Sequence, residues 1–496
     1  MPNTHDFPLE APPLDVIVIG GGINGAGIAS EAISRGLSVG LYEAKDFAMA
    51  TSSASSKLIH GGLRYLEHAE FRLVKEALAE REILLRKAAH IVKPMRFRLP
   101  KQPALRPAWL IRTGLFLYDH LSRRSLLPPS QSIRLSANDG LKPHISTAFE
   151  YSDCWVDDAR LVIANIKNAH QLGAEVRNYC EVLHTKREQS LWRVELFDQR
   201  LQQKVVRYSQ ALINATGPWV AEFIDQRTDE HSQYPMRLIK GSHLIVPKLY
   251  SGNDAYILQN VDKRVVFVIP YLEQYSMIGT TDIPFEGDPY QVHASTEEVN
   301  YLLDVCNHHF RQQLSLEDVI DSFSGVRPLF GSPDQPAQKQ SRDYELVLQT
   351  ENLRLPIVTV YGGKLTTYRK LAEKAVDKLK PFFAHLQPSQ SKNHIFSEAN
   401  GLYATALENQ VRSQHPYLSS STIHRMVNLY GVEIWQILDG MSEQMEPMVG
   451  ELYMSELNYL KNREWAMTGD DILKRRTKLC YQIPEQEQQA IYRWLS

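Results

Sequence analysis

Asp15-Val-Ile-Val-Ile19 leads without a break into Gly20-Gly-Gly-Ile-Asn-Gly25. The five residues before the glycines form an apolar, β-branched run, the composition of a parallel strand buried on both faces. Gly20, Gly22 and Gly25 fall on the three glycines of GxGxxG. The first permits a tight turn, the second lets a pyrophosphate approach the backbone, and the third lets the following helix pack closely on the strand. Small residues continue at Ala26, Gly27 and Ala29, and Gly36 suits a left-handed helix cap. A second strand, Leu37-Ser-Val-Gly-Leu-Tyr42, ends in Glu43, 23 positions beyond Gly20, where a carboxylate would meet ribose hydroxyls. Glycine turns are common and GxGxxG alone is weak; strand, glycines, helix, second strand and acid in this order read as a nucleotide site.

The acid favours free ribose hydroxyls, as in FAD or NAD, over a 2′-phosphate. The fingerprint alone does not choose between the two. No second GxGxxG follows, although an enzyme with paired FAD and NAD domains would carry one. Two more buried strands ending in turns do follow, Ala211-Leu-Ile-Asn-Ala-Thr-Gly217 and Pro356-Ile-Val-Thr-Val-Tyr-Gly-Gly363. After the latter, Lys364 to Leu379 reads as a helix whose N-terminus would offer N–H groups and partial positive charge to an electron-rich ring. Widely separated returns to one nucleotide domain are the FAD arrangement.

The 496 residues hold 55 Lys and Arg against 57 Asp and Glu, a net charge of −2 that argues against a chain built mainly to bind nucleic acid. At 43% hydrophobic and 23% charged, the composition is that of a folded protein of two to four domains rather than a disordered or fibrous one. Cys154, Cys180, Cys306 and Cys480 are too few and too scattered for a disulfide framework or a thiolate zinc site, and read as reduced thiols. No cluster has metal-ligand spacing, so no metal is expected. Residues 1–14 lack a basic start followed by an apolar core, and no apolar run approaches the length of a spanning helix.

The stretch Thr51-Ser-Ser-Ala-Ser-Ser-Lys-Leu-Ile-His-Gly-Gly-Leu-Arg-Tyr-Leu-Glu67 resembles the signature of the FAD-dependent aerobic glycerol-3-phosphate dehydrogenases. The resemblance continues through Met95-Arg-Phe-Arg-Leu-Pro100, Tyr151-Ser-Asp-Cys-Trp-Val-Asp-Asp-Ala-Arg160 and Asn214-Ala-Thr-Gly-Pro-Trp219. Ile239-Lys-Gly-Ser-His243, Ile278-Gly-Thr-Thr-Asp282, Ser324-Gly-Val-Arg-Pro328 and Gly362-Gly-Lys-Leu-Thr-Thr-Tyr-Arg369 extend it, so that it covers most of residues 15–380. Near the C-terminus Met467 and Lys474 stand where the family commonly has Arg and Trp.

The resemblance implies an α/β protein with a discontinuous Rossmann-like FAD-binding domain (residues 15–76, 152–223 and 343–390). An antiparallel-sheet substrate or cap domain (77–151 and 224–342) and a C-terminal helical domain (398–496) complete it. Within the cap, Arg237 to Val246 reads as a strand, and Val265-Val-Phe-Val-Ile269 with Ser276-Met-Ile-Gly279 as an antiparallel hairpin. Trp435, Trp465 and Trp494 are the expected anchors of the helical core. For FAD, bound non-covalently, the resemblance implies contacts from Gly20, Gly22, Asn24, Gly25, Glu43, Thr51, Ser52, Ser56, His60, Gly62, Thr216, Gly217, Gly363, Lys364, Leu365 and Thr366.

It further implies sn-glycerol 3-phosphate as substrate, oxidised to dihydroxyacetone phosphate, with Arg64, Tyr65, Arg327, Arg342 and Lys364 around the phosphate. Arginine suits a bidentate grip on phosphate and lysine supplies a point charge. His60, His243 and Arg327 are the candidate catalytic groups, because imidazole titrates nearest neutral pH and can take the alcohol proton as hydride leaves. His60 could equally orient the flavin, and a cationic cluster could lower the alcohol pKa for water or a neighbouring base; sequence does not name the base.

Residues 101–124 carry Lys101, Arg106, Arg112, Arg123 and Arg124 against Asp119 alone, an excess of four positive charges. Trp109, Leu110, Ile111, Leu115, Phe116 and Leu117 run between them. The mix suits an interfacial segment on anionic lipid, or else a helix packed on the substrate domain with basic flanks. A membrane quinone as electron acceptor, a peripheral position on the cytoplasmic face of the inner membrane and room for a homodimer complete the expectation, with no nucleic acid. The rivals are an oxidase reducing oxygen on the same substrate, an amine oxidase of the same fold, and a sensor or scaffold with structural FAD. In the last, Arg475-Arg-Thr-Lys478 would be a nucleic-acid patch, where a solvated helix face is the plainer alternative.

Overall fold

Leu14–Ile19 is the centre of the first sheet, paired in parallel with Val39–Tyr42 on one side and Gln203–Asn214 on the other. The computed structural model describes residues 11–63, 66, 70–101, 107–121, 127–260, 262, 264–330, 343–352 and 354–495. Arg354–Gly362 extends the sheet in parallel beyond Gln203–Asn214, Glu175–Arg177 does so beyond Val39–Tyr42, and Tyr344–Glu351 closes one edge antiparallel. Both faces of the central strand are covered, which is why its sequence is a continuous apolar run rather than an alternation. Val16 and Val18 pack with the helices Ile23–Ser34, Asp158–Gln171 and Tyr368–Asp377. Ile17 and Ile19 pack instead with Trp192, Val194, Phe223 and Ile224 from an antiparallel ribbon, Cys180–Glu188 with Leu191–Asp198, and a short helix, Val220–Arg227.

The second sheet runs Ile283–Pro284, Met236–Pro247, Tyr275–Gly279, Val265–Tyr271, Ala255–Gln259, Val92–Pro100, Thr147–Val156, Leu58–Ile59. Asp321–Phe330 pairs along the other side of Met236–Pro247. The expected hairpin is present and longer, with Phe267 opposite Gly279 and Tyr271 opposite Tyr275. One pair departs from the antiparallel expectation: Ala255–Gln259 lies parallel to Val92–Pro100. Alternation along Met236–Pro247 sends Leu244 and Val246 to the helix Thr296–His309, and Ile245 to the layer that holds Val74, Leu115 and Tyr118.

Beyond residue 400 the chain is helical: Ala404–Gln414, Ser420–Tyr430, Ile434–Leu438, Met454–Arg463, a π-helical turn Asp471–Arg476 and Glu485–Leu495. Its core is aliphatic, with Met426, Val427, Ile434, Leu457, Leu460 and Ile472 at or near zero exposure. Trp435 and Trp494 pack against this core, half-buried at its rim, and Trp465 packs instead towards the nucleotide sheet, edge-on to Phe47 at 5.8 Å. The basic run is neither a solvated face nor a nucleic-acid patch. Arg475, Arg476 and Lys478 are 8%, 0% and 5% exposed and pair with Asp46 and Asp157 of the nucleotide half.

Buried pairs of this kind fasten the helical domain throughout. Arg160 donates to both Glu464 carboxylate oxygens and to Leu429 O. Lys167 lies 2.6 Å from Glu433 and 2.7 Å from Glu398. Removing one partner leaves an uncompensated charge in a dry interior, which costs about 3–5 kcal/mol. Arg160→Met is expected to lower the urea unfolding midpoint by an amount of that order, and adding Glu464→Leu to recover part of the loss. Equal midpoints for the wild type and the single variant would show that the pair contributes nothing.

Candidate active site

Where the central strand ends, the chain turns so tightly that side chains have no room. Gly20 sits at φ +105°, and a Cβ there would lie 2.6 Å from Ala215 O; a Cβ on Gly25 would lie 1.9 Å from Gly20 O. A cavity of about 620 Å³ opens beside this turn, at the carboxyl ends of the three central parallel strands. That is where open α/β sheets bind ligands.

Gly20, Gly22, Asn24, Glu43, Thr51, Ser52, Thr216, Gly217 and Gly363 line this cavity. The Glu43 carboxylate accepts from Gly21 N (2.6 Å) and Lys45 N (2.9 Å), and burial pushes its pKa up despite those bonds. Ser52 Oγ accepts from Ile23 N at 2.9 Å, and Thr216 Oγ1 donates to Asn214 Oδ1 at 2.8 Å. Asn24 gives its Nδ2 to Gly362 O (3.0 Å), while its buried Oδ1 has no partner among the described residues. Gly363, at φ +107°, could not carry a Cβ, which would meet Asn24 Nδ2 at 2.8 Å. A glycine-floored trough with a buried acid at one end, hydroxyls along the side and an unmatched amide oxygen fits a dinucleotide such as FAD.

The segment from Thr51 to Gly62 crosses from this cavity to the second sheet and is held by one or the other along its length. Thr51 Oγ1 donates to Val326 O (2.6 Å), Ser56 Oγ lies 2.9 Å from His243 Nε2, and His60 N donates to Thr366 Oγ1 (3.2 Å). Gly62, at φ +73°, is buried at its end. Leu365 and Thr366 lie in a 3₁₀ turn, Leu365–Thr367, with Lys364 just before it. The α-helix therefore starts only at Tyr368, four residues later than the sequence suggests, and the intervening N–H groups belong to this tighter turn.

Arg327 projects from Asp321–Phe330 across Met236–Pro247, close enough that a Cβ on Gly241 would meet its Nη2 at 2.3 Å. Nη2 donates to Thr281 O (3.0 Å) and lies 3.2 Å from Asp282. Arg64, Tyr65 and Arg342 lie outside the described residues.

Several site residues escaped the sequence reading. Glu298, 1% exposed, accepts from Lys240 Nζ (2.6 Å), Thr281 Oγ1 (2.6 Å) and Ser242 Oγ (2.8 Å), tying the strand that carries His243 to Thr281, whose carbonyl receives Arg327. Its only signal was a capping pattern, Ser295-Thr-Glu-Glu298. Lys57 is buried against Asp158 at 2.7 Å, and Ser55 Oγ donates to the same carboxylate. Trp219 and Tyr290 stack at 4.2 Å and line the cavity from opposite halves of the chain.

His243 is 3% exposed, stacked on Phe323, and its Nδ1 has no partner among the described residues. Burial, then the charges of Arg327 and Lys57, push its pKa down to about 3. Because the unfolded chain binds that proton near pH 6.5 and the folded chain does not, His243 contributes stability that is complete above pH 6.5 and lost as pH falls towards 3. Below pH 6.5 the loss approaches about 1.4 kcal/mol per pH unit. His243→Gln is expected to flatten the wild-type fall in urea midpoint between pH 6.5 and 4.5; parallel curves would refute this.

Comparison with known proteins agrees with the geometry. The FAD dependent oxidoreductase family matches residues 15–369. The chain is 49% identical over 491 residues to the aerobic glycerol-3-phosphate dehydrogenase of Escherichia coli K12, covering 97% of each. It is 50% identical over 481 residues to the glycerol-3-phosphate dehydrogenase of Pseudomonas aeruginosa, covering 96% of this chain and 94% of that one. It is also 43% identical over 495 residues to the D-erythritol 1-phosphate dehydrogenase of Brucella abortus, covering 98% of each. Among solved structures, the glycerol-3-phosphate dehydrogenase of Bacillus halodurans complexed with FAD superposes with a TM-score of 0.76 at 26% identity, over 98% of this chain and 90% of that one. Similarity of this extent makes the chain a member of the FAD dependent oxidoreductase family, in its glycerol-3-phosphate dehydrogenase branch, with FAD as its cofactor.

Proposed function

We propose that the protein oxidises sn-glycerol 3-phosphate to dihydroxyacetone phosphate and passes the electrons to a membrane quinone. The observation that carries this reading is the approach of a buried neutral imidazole, His243, to a fixed guanidinium, Arg327, on the strands facing the Thr51–Gly62 segment. FAD, when bound, supplies a hydride acceptor at nitrogen 5. Arg327, with its plane set by Thr281 and Asp282, grips the phosphate, and Lys364 adds a point charge. Arg64, Tyr65 and Arg342 complete that grip in the family resemblance.

His243 stays neutral across physiological pH, so its ring is not already protonated when the substrate hydroxyl arrives. A phosphate dianion beside Arg327 cancels part of the repulsion that disfavours the imidazolium, so substrate binding itself raises the basicity of the ring. His243 then takes the hydroxyl proton as the carbon 2 hydride departs, with Ser56 holding Nε2. His60, beside the Thr366 turn, orients substrate and cofactor.

The relative from Brucella gives a second reading, a longer polyol phosphate as substrate. Anaerobic mixing separates the two: glycerol 3-phosphate is expected to bleach the flavin, and glycerol or an amino acid to leave it oxidised. Faster bleaching by D-erythritol 1-phosphate would shift the substrate, and no bleaching by any phosphorylated polyol would end the reading. Hydrogen peroxide formed in step with product, unmoved by added quinone, would replace quinone with oxygen.

Support for membrane contact comes from the helix Ala108–His120. Trp109, Leu110 and Phe116 are 69%, 44% and 59% exposed beside Arg112, on a helix that buries Leu115 and Tyr118. Leu115 thus belongs to the core and not to the interfacial face. Arg106, Arg123 and Arg124 lie outside the described residues. Among the described residues no helix is long and apolar enough to cross a membrane. The contact proposed is peripheral, on the cytoplasmic face. Changing Trp109, Leu110 and Phe116 to Ser is expected to weaken binding to anionic liposomes; unchanged binding would sink the proposal.

A further inference from the structure

The loop between the ribose-binding acid and the hydroxyls of Thr51 and Ser52 is held from outside the nucleotide half. Glu43 and Ala44 line the cavity before Asp46, and Ala48 through Ser52 line it after. Asp46 points away from the cavity and is fully buried. Arg476 takes it in a fork, Nη1 to Oδ2 at 2.7 Å and Nη2 to Oδ1 at 2.8 Å, and Arg475 Nε adds a third bond at 2.5 Å. The next residue, Phe47, packs between the two halves. Its ring would meet a Cβ on Gly21 at 2.5 Å, and it contacts Trp465 of the helical domain edge-on.

A second set of bonds holds the loop's other flank. Tyr179 N donates to Lys45 O and Cys180 N to Glu43 O, at 2.9 and 2.8 Å. That turn is itself fastened to the helical domain, through Tyr179 Oη to Asp471 (2.9 Å) and Asn178 Nδ2 to Trp465 O (2.9 Å). The contact also keeps four non-glycine residues in left-handed backbone: Ala48 (φ +64°), Tyr179 (+52°), Trp465 (+56°) and Lys478 (+61°). Such residues persist only where the surroundings over-determine them.

We infer that the C-terminal helical domain is a clamp on the cofactor, with Arg475 and Arg476 as positioning residues that hold the Glu43–Ser52 loop in its FAD-binding shape. The physical reason is the cost of a buried charge. Without its guanidinium partners, Asp46 would be an uncompensated anion in a dry interior, and the cheapest relief is for the loop to swing until the carboxylate reaches water. That movement carries Glu43, Thr51 and Ser52 off the nucleotide. Held in place, the loop loses no conformational freedom when FAD binds.

The test is FAD affinity of the full-length protein, measured by reconstituting apoprotein and following flavin fluorescence. If release leaves the loop in its binding shape about a tenth of the time, apparent affinity falls about tenfold. Arg476→Met and Asp46→Asn are both expected to show a loss of that size, and Arg476→Lys, which keeps charge without the fork, a smaller one. Arg425→Met is the control, since it cuts a buried pair with Glu456 wholly inside the helical domain; its FAD affinity is expected to stay near wild type. Should Arg476→Met fail to fold, Asp46→Asn decides, because its amide nitrogen cannot accept, so the fork that holds the loop breaks and two buried guanidiniums lose their anion while the side chain keeps its size. Unchanged affinity in Asp46→Asn would overturn the clamp, and so would an equal loss in Arg425→Met, which would assign the effect to domain stability alone.

Discussion

The organising constraint is that a buried charge must find its opposite, and it acts most densely where the strand Thr147–Val156 passes into the helix Asp158–Gln171. Asp153, Asp157 and Asp158 are all buried there, and each takes its partners from a different part of the chain. Asp153 meets Arg81 of the helix Phe71–Lys87 and accepts from Tyr118 of the exposed amphipathic helix and from Gly61 N. Asp157 meets Lys478, and Asp158 meets Lys57. Two residues further, Arg160 reaches Glu464. Cofactor segment, cap helices and C-terminal domain thus converge on some eight residues, none of which lines the cavity.

The same logic repeats on the substrate side with one carboxylate. Glu298, at the start of the helix Thr296–His309, satisfies Lys240, Ser242 and Thr281 at once, and Thr281 in turn receives Arg327. Glu298 pairs with Lys240, while Arg327 donates to the Thr281 carbonyl and pairs with Asp282 at 3.2 Å, which fixes the orientation of its guanidinium.

What could be read from the sequence was local. Asp15–Ile19, its glycines and Glu43 lie within thirty residues of one another, and a buried strand followed by a tight turn leaves a pattern with little ambiguity. The hairpin at 265–279 was legible for the same reason. Arg475-Arg-Thr-Lys478 was not, since a run of cations has the composition of a solvated helix and its acid, Asp46, lies 430 positions away from Arg476. Trp219 and Tyr290 were invisible as a pair, because stacking across domains has no period. Glu298 carried a signal, but one that named only a helix cap. Of the tryptophans expected to anchor the helical core, Trp435 and Trp494 pack against it and Trp465 turns to the nucleotide sheet, because residue type says that a tryptophan packs, not against which domain.

The 430-residue separation between Asp46 and Arg476 also orders events in time. A ribosome adding 5–20 residues per second needs roughly 20–90 s to travel from one to the other. Throughout that interval the glycine turn and Glu43 already exist, while the loop beside them carries an acid with no counter-charge. Asn24 waits nearly as long for Gly362, 338 residues on. The Asp46–Arg476 fork is therefore completed late in synthesis, and a nascent chain interrupted before residue 476 carries the glycine turn and Glu43 without it.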